Sequence, residues 1–323
     1  MNQGYTSDSY IFDPRPSYNL LTTVKRFWKP NSAQSKDPAA LTLIFTHGTS
    51  FHKEQWEPAI DDLLETIAKG GHKVKIREIW TIDCPNHGEA AAVNEHTLFN
   101  GYRNKDSFAW EEYGRSIHLF LAGLGTGVKV DFTGHRLVGI AHSMGAVSMS
   151  LSLGYYPKIR FTSFIFAEIM TMSEDIISKA TEMLVSGAEK RRDIWPTKED
   201  AYKVLKSRGT WKSWDDRVLK HYVDSGLRPL PTAEYPDKTE GVTLKCTRSQ
   251  EAACYRDNIG ARRVWYNFED VVKRVPTHII YGGVNDYIPG HVKDQLINEQ
   301  SGGLSNLASV SRVPGSGHLV SSL

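Results

Sequence analysis

The segment Gly139-Ile140-Ala141-His142-Ser143-Met144-Gly145 places a serine between two small residues, where an apolar run gives way to a stretch rich in small side chains. A strand that turns sharply through small-x-Ser-x-small into a helix forces its serine into a strained backbone conformation and exposes the hydroxyl, which is a nucleophile elbow. Alanine stands at the first small position and glycine at the second. A serine needs a base to take its proton. Pro314-Gly315-Ser316-Gly317-His318-Leu319 supplies a histidine with few packing duties, late in the chain, in the order nucleophile, acid, histidine. The base in turn needs a carboxylate to hold its tautomer, and two present themselves. Asp286 lies in Gly283-Val284-Asn285-Asp286-Tyr287-Ile288-Pro289, and Glu168 ends the apolar run after the elbow. Both fall at carboxyl ends of expected strands, where such sites assemble. Asp286 is slightly preferred, because its loop is free to meet His318 while Glu168 is placed to brace a hinge. A developing oxyanion needs backbone N–H donors. One is expected from Met144, the other from His47-Gly48-Thr49-Ser50-Phe51, with Thr49 as donor and Ser50 facing substrate.

The elements that must hold these residues are legible from periodicity. Residues 20–28, 41–46, 74–82, 136–141, 161–167, 277–281 and 307–313 read as strands, and 41–46 (LTLIFT) has the continuous apolar character of a strand buried on both faces. Trp56, Ile60, Leu63, Leu64 and Ile67 recur at helical spacing up to Gly70-Gly71. Further helices are predicted over 107–122 and 143–153. Strands alternating with helices predict an α/β fold with a mostly parallel, doubly wound sheet. Residues 170–272 break the alternation with helical stretches at 173–186, 198–207 and 214–225, and they carry Trp195, Trp211, Trp214 and Trp265. This interval is expected to be a helical cap inserted into a core made of residues 1–169 and 273–323, with the four tryptophans as apolar walls for substrate.

Composition excludes several classes. The 323 residues hold 39 Lys+Arg and 37 Asp+Glu, a formal charge of +2, which supplies no field for a polyanion, so nucleic acid is not an expected partner. Hydrophobic residues at 40% and charged residues at 24% describe an ordinary globular chain. The longest apolar stretches fall far short of the ~20 residues of a membrane span. Met1-Asn2-Gln3-Gly4 opens no secretory pattern, and the three cysteines (Cys84, Cys246, Cys254) lack C-x-x-C spacing, so an intracellular chain with neither disulfide framework nor structural metal is expected. Gly123-Leu124-Gly125-Thr126-Gly127 lacks the lysine of a phosphate-binding loop, and no cofactor is expected.

Taken together, the elbow, the His47-Gly48 turn, Phe51-His52-Lys53-Glu54-Gln55-Trp56-Glu57-Pro58, Asp83 with Asn86-His87-Gly88, Arg191-Arg192-Asp193-Ile194-Trp195-Pro196 and Gly226-Leu227-Arg228 resemble the α/β-hydrolase superfamily. More narrowly, they are similar to fungal hydrolases related to peroxisomal lipases and to the acyl-CoA or thioester hydrolases of toxin and polyketide pathways. The resemblance implies a serine hydrolase acting on an ester, lactone or thioester of a small-molecule acyl substrate. Some of these relatives place the acid after the strand that follows the nucleophile, which favours Glu168, whereas the superfamily pattern favours Asp286. Two alternatives use the same residues: an acyltransferase or cyclase with an acceptor other than water, or a ligand-binding protein on the same scaffold. Ser321-Ser322-Leu323 resembles the peroxisomal S-K-L tail without its basic middle residue, so cytoplasm and peroxisome are the expected locations.

Overall fold

A computed structural model describes residues 4–71, 73–102 and 107–319. Strands β1 (Thr6–Phe12), β2 (Thr22–Trp28), β3 (Leu41–Thr46), β4 (Ile76–Ile82), β5 (Arg136–His142) and β6 (Phe161–Ala167) lead into three short strands, β7 (Ile194–Trp195), β8 (Leu227–Pro229) and β9 (Val242–Leu244), before β10 (Thr277–Gly282) and β11 (Ser309–Val313). Eight of them form one sheet in the order β1-β2-β4-β3-β5-β6-β10-β11. The β1–β2 and β2–β4 pairs are antiparallel, and β4 through β11 run parallel. The expected doubly wound parallel sheet is therefore present.

The alternation of side chains along each strand fills two cores. Ile44, Trp80, Ile82, Leu137, Phe164 and Phe166 pack into one cluster, while their neighbours Leu43, Phe45, Ile79 and Val138 pack into another on the opposite face. The helix Glu57–Lys69 covers the second face with Ile60 and Leu64, one turn apart. The helix Trp110–Leu121 turns Tyr113, Ile117, Phe120 and Leu121 into the first. Every residue of the helix Met144–Ser152 is buried, which accounts for its alanine, glycine and serine content: larger residues would not fit beneath the sheet.

Two features escape sequence patterning. Thr6–Phe12 reads as polar because it is an edge strand, and most of its residues keep partial exposure. The three-stranded sheet β7-β9-β8 is built from strands of two or three residues, too short to show a period. Between β6 and β10 the helices Glu174–Lys190, Lys198–Lys206 and Asp216–Gly226 occur where helices are expected. A tryptophan-containing cluster of Trp195, Leu205, Trp214, Leu219, Tyr222 and Leu244 holds part of this segment together. The later helices Arg248–Arg256, Ile259–Tyr266 and Phe268–Arg274 send Ala253, Val264, Trp265 and Val271 into the main core instead. Among the described residues no helix is long and apolar enough to cross a membrane. The tail Ser321-Ser322-Leu323 lies outside the described residues.

Candidate active site

Five strand ends converge at the carboxyl edge of the sheet. β5 delivers Ser143 at φ 54° and ψ −121°, a region that L-residues rarely occupy. The Ser143 N–H donates to the Ala167 carbonyl at 3.1 Å, which anchors the turn to the end of β6. Gly145 explains the small residue after the serine: a Cβ there would lie 2.6 Å from the His47 carbonyl oxygen. Gly48 is equally constrained, since its Cβ would lie 2.8 Å from His142 Nδ1 and 3.0 Å from Ser143 Cβ. The loop after β3 thus runs directly against the serine.

The loop after β11 brings His318 to the serine, with Nε2 3.0 Å from Ser143 Oγ. On the other side of the ring, Nδ1 lies 3.1 Å from Glu168 Oε2. Glu168 follows β6 with φ 48° and is fully buried. Its other oxygen, Oε1, accepts from the Gly282 N–H at 2.6 Å and from Lys293 Nζ at 2.8 Å. Burial pushes the Glu168 carboxyl up. The hydrogen bond and charge of His318, with Lys293 and the Gly282 amide, outweigh burial and hold the carboxyl below its ordinary value.

Asp286 takes a different place from the one preferred on sequence grounds. Its carboxylate accepts from the His318 backbone N–H, at 2.9 Å to Oδ1 and 3.1 Å to Oδ2, rather than from the imidazole. The loop after β10 does reach His318, but it carries the carboxylate to the main chain of that residue, leaving the ring to Glu168. His142 supports the same residue from beneath: its Nε2–H donates to the His318 carbonyl at 2.8 Å. Burial holds the His142 imidazole down at about 3, so it is neutral at pH 7.

The loop after β3 is pinned by groups that carry no motif of their own. Ser50 has φ 74°, and its N–H donates to His87 Nε2 at 3.0 Å. Its hydroxyl donates to Glu251 Oε1 at 2.5 Å and lies 3.1 Å from the Tyr255 hydroxyl. Glu251 is also paired with Arg191, whose Nη1 reaches both carboxylate oxygens at 2.9 and 3.0 Å. Thr49 Oγ1 contacts Met144 Sδ at 3.4 Å, so Thr49 stands beside the residue that follows the serine. Glu251, Tyr255 and Lys293 sit in ordinary helical patterns and carry no sequence signal. Arg191 belongs to a stretch noted only for its resemblance.

These groups open onto a cavity of about 410 Å³. Ser143 and His318 lie in its wall together with Thr49 and Ser50, and Met170, Ile177, Leu184, Trp110, Trp211 and Trp214 supply apolar surface. Trp211 and Trp214 pack with ring centroids 4.4 Å apart, and Phe51 meets Trp214 edge-on at 5.6 Å. The other two expected tryptophans do not line the cavity. Trp195 is buried in the cluster around β7, and Trp265 is buried in the main core from the inward face of its helix. An indole looks the same in sequence whether it fills a core or walls a pocket. Trp214→Ala and Trp211→Ala are therefore expected to change the ranking of acyl substrates by roughly tenfold in relative kcat/KM. Trp265→Ala is expected to cost about 3–5 kcal/mol of stability and leave the ranking intact. Kinetics on a series of acyl chain lengths, with thermal melts, check both. An unchanged ranking in the Trp211 and Trp214 variants counts against a role for them in selectivity.

The arrangement can move the Ser143 proton to His318 Nε2 while Glu168 holds the proton on Nδ1. It can receive an acyl chain along an apolar wall. A model of the alpha/beta hydrolase family matches residues 43–322. The type I acyl-CoA thioesterase mpaH of Penicillium brevicompactum is 29% identical over 201 residues, which is 61% of this chain and 42% of the relative. The chain thus spans under half the length of that curated relative. Among solved structures, the peroxisomal alpha-beta-hydrolase Lpx1 of Saccharomyces cerevisiae superposes with a TM-score of 0.68 at 18% identity, over 100% of this chain and 85% of that one. The thioesterase domain from the curacin biosynthetic pathway superposes with a TM-score of 0.62 at 14% identity, over 98% and 95%. At these identities the two structures bear on the fold alone.

Proposed function

Because the chain belongs to the alpha/beta hydrolase family, we propose that it is a serine hydrolase cleaving an acyl ester, lactone or thioester through an acyl-enzyme on Ser143. One observation carries the reading: the unbroken chain of contacts from Ser143 Oγ through the His318 ring to Glu168, at 3.0 and 3.1 Å, opening onto an apolar cavity. Ser143 attacks the acyl carbonyl while His318 Nε2 takes its proton. Glu168 keeps the Nδ1 proton in place and stabilises the imidazolium that forms. The N–H groups of Met144 and Thr49 receive the oxyanion, a role supported by the close approach of the Gly48 turn to the serine. The imidazolium then protonates the leaving group. A water activated by the regenerated base releases the acid. Within residues 170–272, the helix Glu174–Lys190 and the segment carrying Trp211 and Trp214 wall the acyl site as a cap, and the Arg191–Glu251 pair holds the oxyanion loop through Ser50. The thioester class draws support from the name of the mpaH relative.

Labelling with a fluorophosphonate, followed by peptide mapping, should place one adduct on Ser143. Turnover of an acyl ester or acyl thioester in ¹⁸O-water should release free acid carrying one solvent oxygen. A transferred or cyclised acyl product in place of the acid would overturn hydrolysis, and an unlabelled Ser143 would overturn the nucleophile.

A further inference from the structure

We infer that Lys293 is a positioning residue for the acyl-transfer chemistry: its buried ammonium, bonded to Glu168 Oε1, to the carbonyl that ends β10 and to a carbonyl of the loop that follows, fixes the carboxylate that faces His318. The inference rests on the reading of Glu168 as the acid. Lys293 comes from the helix Gly290–Gln295 and is fully buried, as is Glu168. Its three protons match three acceptors: Glu168 Oε1 at 2.8 Å, the Gly282 carbonyl at 3.0 Å and the Val284 carbonyl at 3.4 Å. Lys293 and the Gly282 N–H together occupy Oε1, which leaves Oε2 for His318 Nδ1. The lysine touches neither His318 nor Ser143 in any of its hydrogen bonds, so its effect runs through the carboxylate and the loop.

A buried ion pair is a poor source of net stability, because desolvating both charges offsets their attraction. Two apolar side chains in place of both partners could fill this space at no greater cost, whereas an apolar residue at 293 alone leaves the Glu168 carboxylate buried without its cation. What the ammonium adds is a fixed carboxylate orientation, a negative charge kept on Glu168, and a tether on the loop whose next turn places Asp286 on the His318 main chain. The groups facing Glu168 are His318 from the loop after β11, His142 from the end of β5, Tyr281 from β10 and Lys293 itself. Farther out, Arg312 and Asp294 neutralise each other at 2.6 Å. Lys293 is thus the one fixed cation bonded to the carboxylate among the described residues. Removing it takes away one of the groups that hold the Glu168 carboxyl down, so that carboxyl binds a proton more tightly and the acidic limb of the rate profile moves to higher pH.

The test compares Lys293→Met, and Lys293→Gln as a second neutral variant should the first not fold, alone and combined with Glu168→Gln. Steady-state and single-turnover kinetics on an acyl ester are read across pH, with thermal melts alongside. The expected result is a fall in kcat of about 10²-fold at nearly constant KM. The acidic limb of kcat/KM should move up by about one pH unit. In the Glu168→Gln background the same substitution should change kcat by less than about threefold, because there is no carboxylate left to position. A limb that stays at its wild-type pH, or an equal loss in both backgrounds, overturns the inference and leaves Lys293 a packing residue. The premise fails differently: Glu168→Gln itself would then keep wild-type turnover, and both assignments fall together. A crippled Glu168→Gln with an indifferent Lys293 removes only the lysine.

Discussion

Ser143→Ala is expected to lower acyl turnover by about 10⁶-fold, the scale on which loss of a serine nucleophile acts when its base can do little alone. The fold should persist. Alanine removes one oxygen, keeps a Cβ, and inherits the backbone conformation that β5 and the following helix impose at φ 54°. The anchoring hydrogen bond from the residue 143 N–H to Ala167 is a main-chain bond and survives. The only side-chain bond lost is the one to His318 Nε2. A melting temperature within a few degrees of the parent should therefore accompany the loss of turnover, and fluorophosphonate labelling should vanish with it. Retention of most activity in a variant that melts like the parent would end the serine mechanism.

The second large effect separates two carboxylates that both touch His318. Glu168→Gln is expected to cost about 10⁴-fold in turnover, and Asp286→Asn no more than about tenfold. The asymmetry follows from donors and acceptors. Oε1 of Glu168 faces two donors, the Gly282 N–H and the Lys293 ammonium, so the carbonyl oxygen of a glutamine must take that place. Its NH₂ then points at His318 Nδ1, which has to accept. The ring proton moves to Nε2, where it meets Ser143, and the base can no longer take the serine proton. In Asp286→Asn the side chain keeps an oxygen for the His318 main-chain N–H and disturbs no tautomer. Kinetics of the two amide variants on one acyl ester decide the matter. If Asp286→Asn is the crippled variant, the contact between Glu168 and the imidazole is not the one that matters in turnover. If both lose activity modestly and equally, the two carboxylates share the work.

What the amino-acid sequence makes legible is local in the chain. The elbow can be read because a strand, a turn and a helix are neighbours in sequence, and because crowding demands small residues at 141 and 145. The strands of the parallel sheet can be read because burial on both faces leaves continuous apolar runs such as Leu41–Thr46. His318 stands out for its glycine-rich loop. The same locality hides the rest. Glu168 and Asp286 are far apart in sequence, and each follows a strand that ends at the same edge of the sheet. Which one meets the imidazole depends on the φ of 48° at Glu168 and on where the loop after β10 turns, and neither is written in residue type. Lys293 looks like a solvated helix lysine until β10 and its helix fold over Glu168 and bury it. Trp195 and Trp265 cannot be told from Trp211 and Trp214 by type, because an apolar side chain packs against whatever the tertiary fold brings near it. Residue types and short spacings thus determine the chemistry this chain can attempt. Tertiary packing alone decides which acid, which cation and which aromatics stand around the serine, because those contacts join residues from distant parts of the chain.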